Sequence, residues 1–204
     1  MLKARIAVLV SGGGTNLQAL IDAQKNNKLC SGEIALVISN KPDVYALERA
    51  GNAGIESVVI NKKELGQEAF EDALMALLNK KKIDLIVLAG FLCILSEKFV
   101  SRYPKRILNI HPSLIPAFCG DGFYGLRVHE EALKRGVKIT GATVHFVNEI
   151  TDGGDIILQK AVEIPHGIGA SELQKLVMEE AEWIILPQAV ELTSANIISE
   201  RAHT

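Results

Sequence analysis

The hydrophobic residues of the chain follow two alternating patterns. Short, nearly continuous apolar runs have the length of strands buried on both faces, and between them apolar residues recur every three or four positions, as in amphipathic helices. This alternation is typical of βαβ units and predicts an α/β fold with a mostly parallel, twisted sheet. The predicted strands are residues 6–10, 34–38, 58–60, 85–88 and 107–110, and the predicted helices begin near Asn16 and span 43–53 and 70–78.

The pattern changes after Pro112. Residues 112–127 contain three glycines and two prolines, and a loop of this length without secondary structure is usually functional. A helix over 128–135 follows. The next two predicted strands, 142–147 and 156–162, are joined by turn-like residues and are expected to pair as an antiparallel hairpin.

The last predicted element is a long amphipathic helix. Apolar residues from Leu173 to Ile185 recur at helical spacing, and Ser171 is the predicted N-cap. Residues after Ser194 are expected to be weakly ordered.

Composition and charge narrow the class of protein. The 204 residues, 48% hydrophobic and 23% charged, predict one folded domain over 1–204 and exclude a disordered chain. A net charge of −2 provides no basic surface for nucleic acid or acidic membranes. No apolar run approaches the roughly 20 residues that cross a bilayer, and the N-terminus lacks a signal peptide. Three widely spaced cysteines form no metal-binding pattern, so we predict a cytoplasmic protein without a bound metal.

A glycine-rich segment, residues 11–16, connects the first predicted strand to the first helix. Glycines let a ligand approach the backbone, and free N–H groups at a helix N-terminus favour an anion such as phosphate. Leu17 stands where a dinucleotide-binding loop needs its third glycine, and no P-loop lysine follows. A single phosphate, as on a ribose phosphate, is one interpretation; a tight turn without a ligand is the other.

Two further segments contain residues suited to catalysis. Asn109 and His111 lie on one face at the end of a buried strand, where α/β sheets place their ligands. Asparagine can donate to a developing oxyanion and histidine can transfer a proton near neutral pH. Asp152, in the turn of the predicted hairpin, would raise the pKa of a neighbouring histidine. Each segment also has a purely structural interpretation, as a capped strand end and an ordinary hairpin turn; His145 is interpreted as a packed sheet residue.

Three segments in the same order resemble a known family. They are residues 8–17, residues 88–116 with Asn-Ile-His-Pro-Ser at 109–113, and residues 143–154 ending in Asp-Gly-Gly. Together they are similar to the folate-dependent formyltransferases, and the glycine loop is similar to that of the phosphoribosylglycinamide formyltransferases. The resemblance extends over residues 4–192.

This resemblance implies a Rossmann-like fold and transfer of a formyl group from 10-formyltetrahydrofolate to the amine of 5-phosphoribosylglycinamide, a step of purine synthesis. It implies that residues 1–110 form the ribonucleotide-binding half and 111–204 the folate-binding and catalytic half. The implied site consists of catalytic Asn109, His111 and Asp152, phosphate-binding Gly14, Thr15 and Asn16, substrate-binding Glu182, and folate-binding Leu92, Ile94, Leu95 and Asn109. The alternative interpretation of Glu182 is an exposed charge on the last helix.

The sequence also departs from the family pattern. Many relatives have an arginine where Cys93 stands and another near Gln67, which meets the folate tail. Lys62 or Lys63 is the available substitute for the second arginine. Another folate-dependent formyltransferase, a formyltetrahydrofolate hydrolase and a non-catalytic phosphate-binding module remain alternatives. The absence of room for an RNA-binding or regulatory domain disfavours a tRNA formyltransferase and the hydrolase. Small-molecule substrates are the expected partners of a monomer or homodimer.

Overall fold

The computed structural model describes residues 2–203, which form one seven-stranded sheet in the order β3-β2-β1-β4-β5-β6-β7. The first five strands in this order are parallel, and β6 and β7 add an antiparallel hairpin to the edge of β5. The predicted α/β architecture with a C-terminal hairpin is therefore confirmed. The strands are β1 Ala4–Val10, β2 Gly32–Ser39, β3 Ser57–Val59, β4 Leu85–Leu88, β5 Ile107–His111, β6 Ile139–Phe146 and β7 Ile156–Glu163.

Helices cover both faces of the sheet. The apolar faces of α1, α2, α6 and α7 pack on one side, while α3 and α4 pack on the other around Phe70 and Phe99. Because both faces are covered, the central strands are buried along nearly their whole length. The helices are α1 Thr15–Lys25, α2 Tyr45–Asn52, α3 Lys62–Lys80, α4 Glu97–Val100, α5 Leu126–Arg135, α6 Ala170–Val177 and α7 Trp183–Ala202.

The C-terminal region differs from the prediction in two ways. Ser171 is not the N-cap, because Gly169 precedes α6 and its N–H donates to Glu172 within the first turn. Residues 195–202 are ordered, since α7 continues to Ala202 with Ser194 and Ile197 buried; Thr204, which the same expectation included, lies outside the described residues. The ion pair of Arg201 with Asp84 fastens the end of this helix to the sheet.

The strand order determines where the loops meet. Strands β1, β4 and β5 are adjacent and parallel, so the loops that follow them open at one edge of the sheet. After β1 the chain first forms β2 and β3 on one side of β1 and then crosses to form β4 on the other side, so the strand order reverses at β1. A crevice at such a reversal is where open α/β sheets bind their ligands.

Candidate functional site

The glycine loop forms one wall of this crevice. Gly14 adopts a left-handed conformation (φ 73°, ψ 34°) directly before α1, and its Cα lies so close to α2 that an added Cβ would be 2.7 Å from the Cβ of Ala46. The loop, together with Ala89 and Gly90, encloses a cavity of about 240 Å³. Thr15 and Asn16, the first two residues of α1, line this space, and the N–H groups of a first helical turn, which have no partner within the helix, suit an anion.

Glu182 is buried beside Asn16, one of the residues that line this cavity. A five-residue π-helical turn, Met178–Glu182, joins α6 to α7 and places Glu182 inside the protein, with only 6% of its surface exposed. Its Oε2 accepts a 2.7 Å hydrogen bond from Asn16 Nδ2. Burial raises the pKa of Glu182, and the bond from Asn16 acts in the opposite direction. Glu182 is therefore not an exposed helix charge, which was the alternative interpretation.

Asn109, His111 and Asp152 come together at the end of β5. His111 Nδ1 lies 3.4 Å from Asp152 Oδ2, and Asn109 Nδ2 lies 3.5 Å from Asp152 Oδ1. Asp152 reaches these residues because β6 pairs with β5 and the hairpin turn folds back over them. The sequence prediction that these three residues form one cluster agrees with the geometry.

His145 is a fourth member of the cluster that the sequence analysis placed only in the sheet. It stands opposite Asn109 in the β5–β6 register. Its Nε2 lies 3.2 Å from Asn109 Nδ2 and 3.6 Å from Asp152 Oδ1. Since alternation along one strand does not reveal its partner strand, only the pairing register could have identified this residue.

The pKa values of Asp152 and His111 are both lowered in this cluster, for different reasons. Burial alone would raise the pKa of Asp152, but the bond from His145, the charge of His111 and the N–H of Gly120 together lower it. For His111, burial lowers the pKa and outweighs the opposite effect of Asp152. The expected rise in the pKa of His111 is therefore wrong for this arrangement, because a cation there loses more hydration than Asp152 restores.

A second histidine is buried near His111. His129 lies in the first turn of α5 and is completely buried. Burial, and secondarily the charge of His111, lowers its pKa to about 4. Neither ring nitrogen has a hydrogen-bond partner within residues 2–203, and a neutral ring is the form that this environment tolerates.

The loop between β5 and α5 covers His111. Phe118 O accepts a 2.9 Å hydrogen bond from His111 Nε2, and Gly120 N donates to Asp152 Oδ2 at 2.9 Å. Only 4% of the His111 surface is exposed as a result. Both ring nitrogens of His111 are thus engaged inside the protein while the loop lies in this position.

The segment after β4 presents an apolar edge to the same crevice. Leu92 and Ile94 are exposed, Leu95 is partly buried, and the N–H of Leu92 donates to Ser11 Oγ at 2.9 Å. Cys93 points inward. The exposed side chains and the polar backbone of this segment are suited to a flat, amphipathic ligand.

The side-chain amide nitrogen of Gln67 is already hydrogen-bonded within the protein. Its amide nitrogen donates to Ile94 O at 3.1 Å and to Glu71 Oε1 at 2.5 Å. Lys62, at the start of α3, hydrogen-bonds the thiol of Cys93 and lowers its pKa against the larger effect of burial, which raises it. Lys62 is therefore a cation beside Cys93, one of the two positions that depart from the family pattern.

Two negative findings concern residues 2–203. No group of three or more histidine, cysteine, aspartate or glutamate side chains in this range has the arrangement of a metal site. Within the same range, every helix is too short or too polar to traverse a lipid bilayer.

The sequence and the fold correspond to a known class of enzymes. The family model of the formyl transferases matches residues 4–190, and the chain belongs to the formyl transferase family. The phosphoribosylglycinamide formyltransferase of Escherichia coli K12 is 42% identical over 186 residues, which are 91% of this chain and 84% of that protein. The human trifunctional purine biosynthetic protein adenosine-3 is 45% identical over 96% of this chain, although the chain spans only 19% of that protein.

Solved structures give the same result. The crystal structure of glycinamide ribonucleotide transformylase 1 from Symbiobacterium toebii has a TM-score of 0.88 and 40% sequence identity, and the match covers 95% of this chain and 89% of that one. The phosphoribosylglycinamide formyltransferase structure from Brucella melitensis has a TM-score of 0.86, with 40% identity over 95% of this chain and 96% of that chain. The similarity thus includes the sheet, the hairpin and the C-terminal helix.

Proposed function

We propose that this protein transfers the formyl group of 10-formyltetrahydrofolate to the amine of 5-phosphoribosylglycinamide in purine biosynthesis. The observation behind this proposal is that Asn109 and His111 each lie within 3.5 Å of Asp152 at the sheet edge that also holds the glycine-loop cavity. Membership of the formyl transferase family supports a formyl-folate co-substrate. Relatives named for this reaction support the ribonucleotide acceptor.

The proposed chemistry is direct transfer. The substrate amine attacks the formyl carbon and forms a C–N bond, and the carbonyl oxygen becomes an oxyanion that Asn109 and protonated His111 stabilise. Asp152 favours the cationic form of His111. The attacking nitrogen is now cationic and gives up a proton, and N10 of the folate receives one, with His111 or water beside Asp152 carrying the proton between the two nitrogens. The oxyanion then re-forms the carbonyl as the C–N10 bond breaks and releases tetrahydrofolate.

This chemistry requires a change at His111. Nδ1 faces Asp152, so only Nε2 is available to the substrate, and Nε2 now bonds to Phe118 O. The covering loop must release this bond when the substrates bind. Release has two opposed effects on the pKa of His111: it removes part of the burial, the larger effect, which lowers this pKa, and it removes the Phe118 bond, which raises it.

The remaining residues divide between the two substrates. Gly14, Thr15 and Asn16 are proposed to bind the ribonucleotide phosphate, and the carboxylate of Glu182 to hold the glycinamide end. Asn16 Oδ1 is buried without a partner in the described part of the chain, so it can accept a hydrogen bond from a ligand in the cavity.

The folate is proposed to bind along Leu92, Ile94 and Leu95, close to Asn109. The proposed division into a ribonucleotide half, 1–110, and a folate-binding and catalytic half, 111–204, remains a prediction. Lys62 is the proposed counter-charge for the anionic folate tail because it lies beside Cys93.

An absorbance assay tests the reaction. The folate spectrum is expected to change only when 10-formyltetrahydrofolate and 5-phosphoribosylglycinamide are both present. A change with the folate alone would identify a formyltetrahydrofolate hydrolase. If the folate spectrum changes neither with the folate alone nor with both substrates, and the protein nevertheless binds the ribonucleotide, the protein is a non-catalytic phosphate-binding module.

Replacing Glu182 by glutamine tests the substrate end of the site. The neutral side chain can still accept the bond from Asn16, so the fold is expected to persist, but the charge that attracts the amine is lost. KM for the ribonucleotide should rise about tenfold, consistent with one charged hydrogen bond of about 1.5–3 kcal/mol, while KM for the folate stays unchanged. Glu180→Gln, an exposed position on the same turn, is the control, and equal KM values for both variants would contradict the assignment.

A further inference from the structure

Two carbonyl groups of the glycine loop are hydrogen-bonded to α2. The backbone N–H of Ala46, in the first turn of α2, donates to Gly12 O at 3.2 Å. The side chain of Arg49, one turn further on, donates from Nε to Gly13 O at 2.9 Å. Two successive carbonyls of the loop therefore face α2.

Each of these carbonyls sets the direction of the N–H that follows it. The peptide bonds of the loop are trans, and in a planar trans peptide the N–H points opposite to the C=O. The N–H groups of Gly13 and Gly14 therefore point away from α2, and neither has a hydrogen-bond acceptor among residues 2–203. Both glycines line the cavity of about 240 Å³, to which α2 contributes no described residue.

The guanidinium group of Arg49 is itself held in place. Its Nη1 donates to Gln18 Oε1 at 2.9 Å, and its central carbon lies 4.8 Å from the centre of the Tyr45 ring, within the range of a cation–π contact. The side chain is half-buried. Because a guanidinium is planar and its donors are fixed relative to one another, these contacts also orient Nε toward Gly13 O.

Arg49 does not belong to the wall of the glycine-loop cavity. It lines an adjoining cavity of about 410 Å³ between α1, α2 and α7, and it is absent from the residues around the smaller one. Its route to an anion held by the loop therefore passes through Gly13 O.

We propose that Arg49 is a positioning residue of the phosphate site, which holds Gly13 O so that the N–H of Gly14 faces the ribonucleotide phosphate. This inference rests on the proposed function, because it gives Arg49 a role only if the glycine loop binds phosphate. The bond from Ala46 to Gly12 O orients the preceding peptide in the same way. Two adjacent N–H groups then face one side of the loop, an arrangement that suits an anion.

Three replacements separate the donor of Arg49 from its charge. In glutamine, Nε2 follows Cδ as Nε does in arginine, so Arg49→Gln retains an N–H donor at this position without the charge. Lysine retains the charge but has a methylene carbon, Cε, at the position of Nε. Methionine has a methyl carbon there, so Arg49→Met retains neither property.

Isothermal titration with 5-phosphoribosylglycinamide, and with the ribosylglycinamide that lacks its phosphate, measures what the phosphate contributes. Arg49→Met should bind the ribonucleotide about tenfold more weakly, the effect of losing one hydrogen bond to a charged group, and should bind the dephosphorylated compound as the wild type does. Arg49→Gln should stay within about threefold of the wild type, whereas Arg49→Lys should remain close to Arg49→Met. KM for the folate and kcat at saturating ribonucleotide should be unchanged in all three variants.

Arg135→Met is the control for net charge. Arg135 is an exposed arginine in the last turn of α5, and its replacement removes one positive charge of the same kind without touching the loop. This variant should bind both compounds as the wild type does.

Specific outcomes would overturn the proposal. They are an Arg49→Met variant that binds the ribonucleotide within about twofold of the wild type, an Arg49→Gln variant that binds no more tightly than Arg49→Lys, or an equal loss of affinity for the two compounds. If Arg49→Met does not fold, the comparison of Arg49→Gln with Arg49→Lys decides alone. A wild-type protein that binds the phosphorylated and dephosphorylated compounds equally well would instead refute the phosphate site on which this inference rests.

Discussion

Asp152→Asn is expected to lower kcat on the order of 10²–10³-fold in a protein that remains folded. The two side chains have the same shape, so an oxygen at the position of Oδ2 can still accept from Gly120. What disappears is the negative charge 3.4 Å from His111 Nδ1. Without it, the cationic form of His111 loses its counter-ion inside the protein, and the oxyanion loses its charged donor.

Steady-state kinetics at several pH values provides the measurement. Asp152 raises the pKa of His111, so its removal lowers that pKa, and the loss of kcat with rising pH should begin at a lower pH in the variant. Asp155→Asn is the matched control, because Asp155 ends the same turn but is exposed and pairs with Lys105. A near-normal kcat for Asp152→Asn would refute the proposed catalytic trio.

The sheet was predictable from the sequence because its central strands are buried on both faces. The run at Leu85–Leu88 matches the predicted limits of β4, and β5 extends the predicted strand by one residue, to His111. Alternation along β5 also placed Asn109 and His111 on one face. These features depend on local periodicity, which the sequence displays directly.

Other features depend on contacts between distant segments. The hydrogen bond between Asn16 and Glu182 joins residues 166 positions apart, and the π-helical turn that orients Glu182 has no signature in the hydrophobic pattern. The order of α7 beyond Ser194 comes from burial of Ile197 and the pairing of Arg201 with Asp84. Polar residues at the end of a helix suggest fraying unless their partners are known.

The direction of the pKa shift of His111 also could not be predicted from the sequence. The sequence suggested an Asp–His pair, and such a pair alone would favour the cation. The direction is reversed by burial under the loop containing Phe118, which cannot be inferred from residue types. Local motifs thus predicted which three residues form the cluster, while burial under the covering loop sets the direction in which the pKa of His111 is shifted.

Gly14→Val is expected to weaken ribonucleotide binding at least about tenfold, or roughly 1.4 kcal/mol, while folate binding changes little. Gly14 has a φ of 73°, which β-branched residues avoid, and its Cβ would lie 2.7 Å from Ala46 Cβ and 2.9 Å from Ala46 Cα. Strain and overpacking of this kind cost about 1–3 kcal/mol each. The start of α1 must therefore move relative to α2, and the N–H groups that would bind phosphate move with it.

Isothermal titration with each ligand measures the effect, and two further variants separate its causes. Gly54→Val shares the positive φ of 70° but meets no atom within 4 Å and lies away from the cavity, so it should lose stability without losing ribonucleotide affinity. Gly13→Ala also has open space around its Cβ, so its stability should match the wild type. Because Gly13 lines the cavity, any loss of affinity in this variant reports contact with the ligand itself. Equal weakening of ribonucleotide and folate binding by Gly14→Val would remove the phosphate assignment, since a general loosening of the crevice affects both ligands alike.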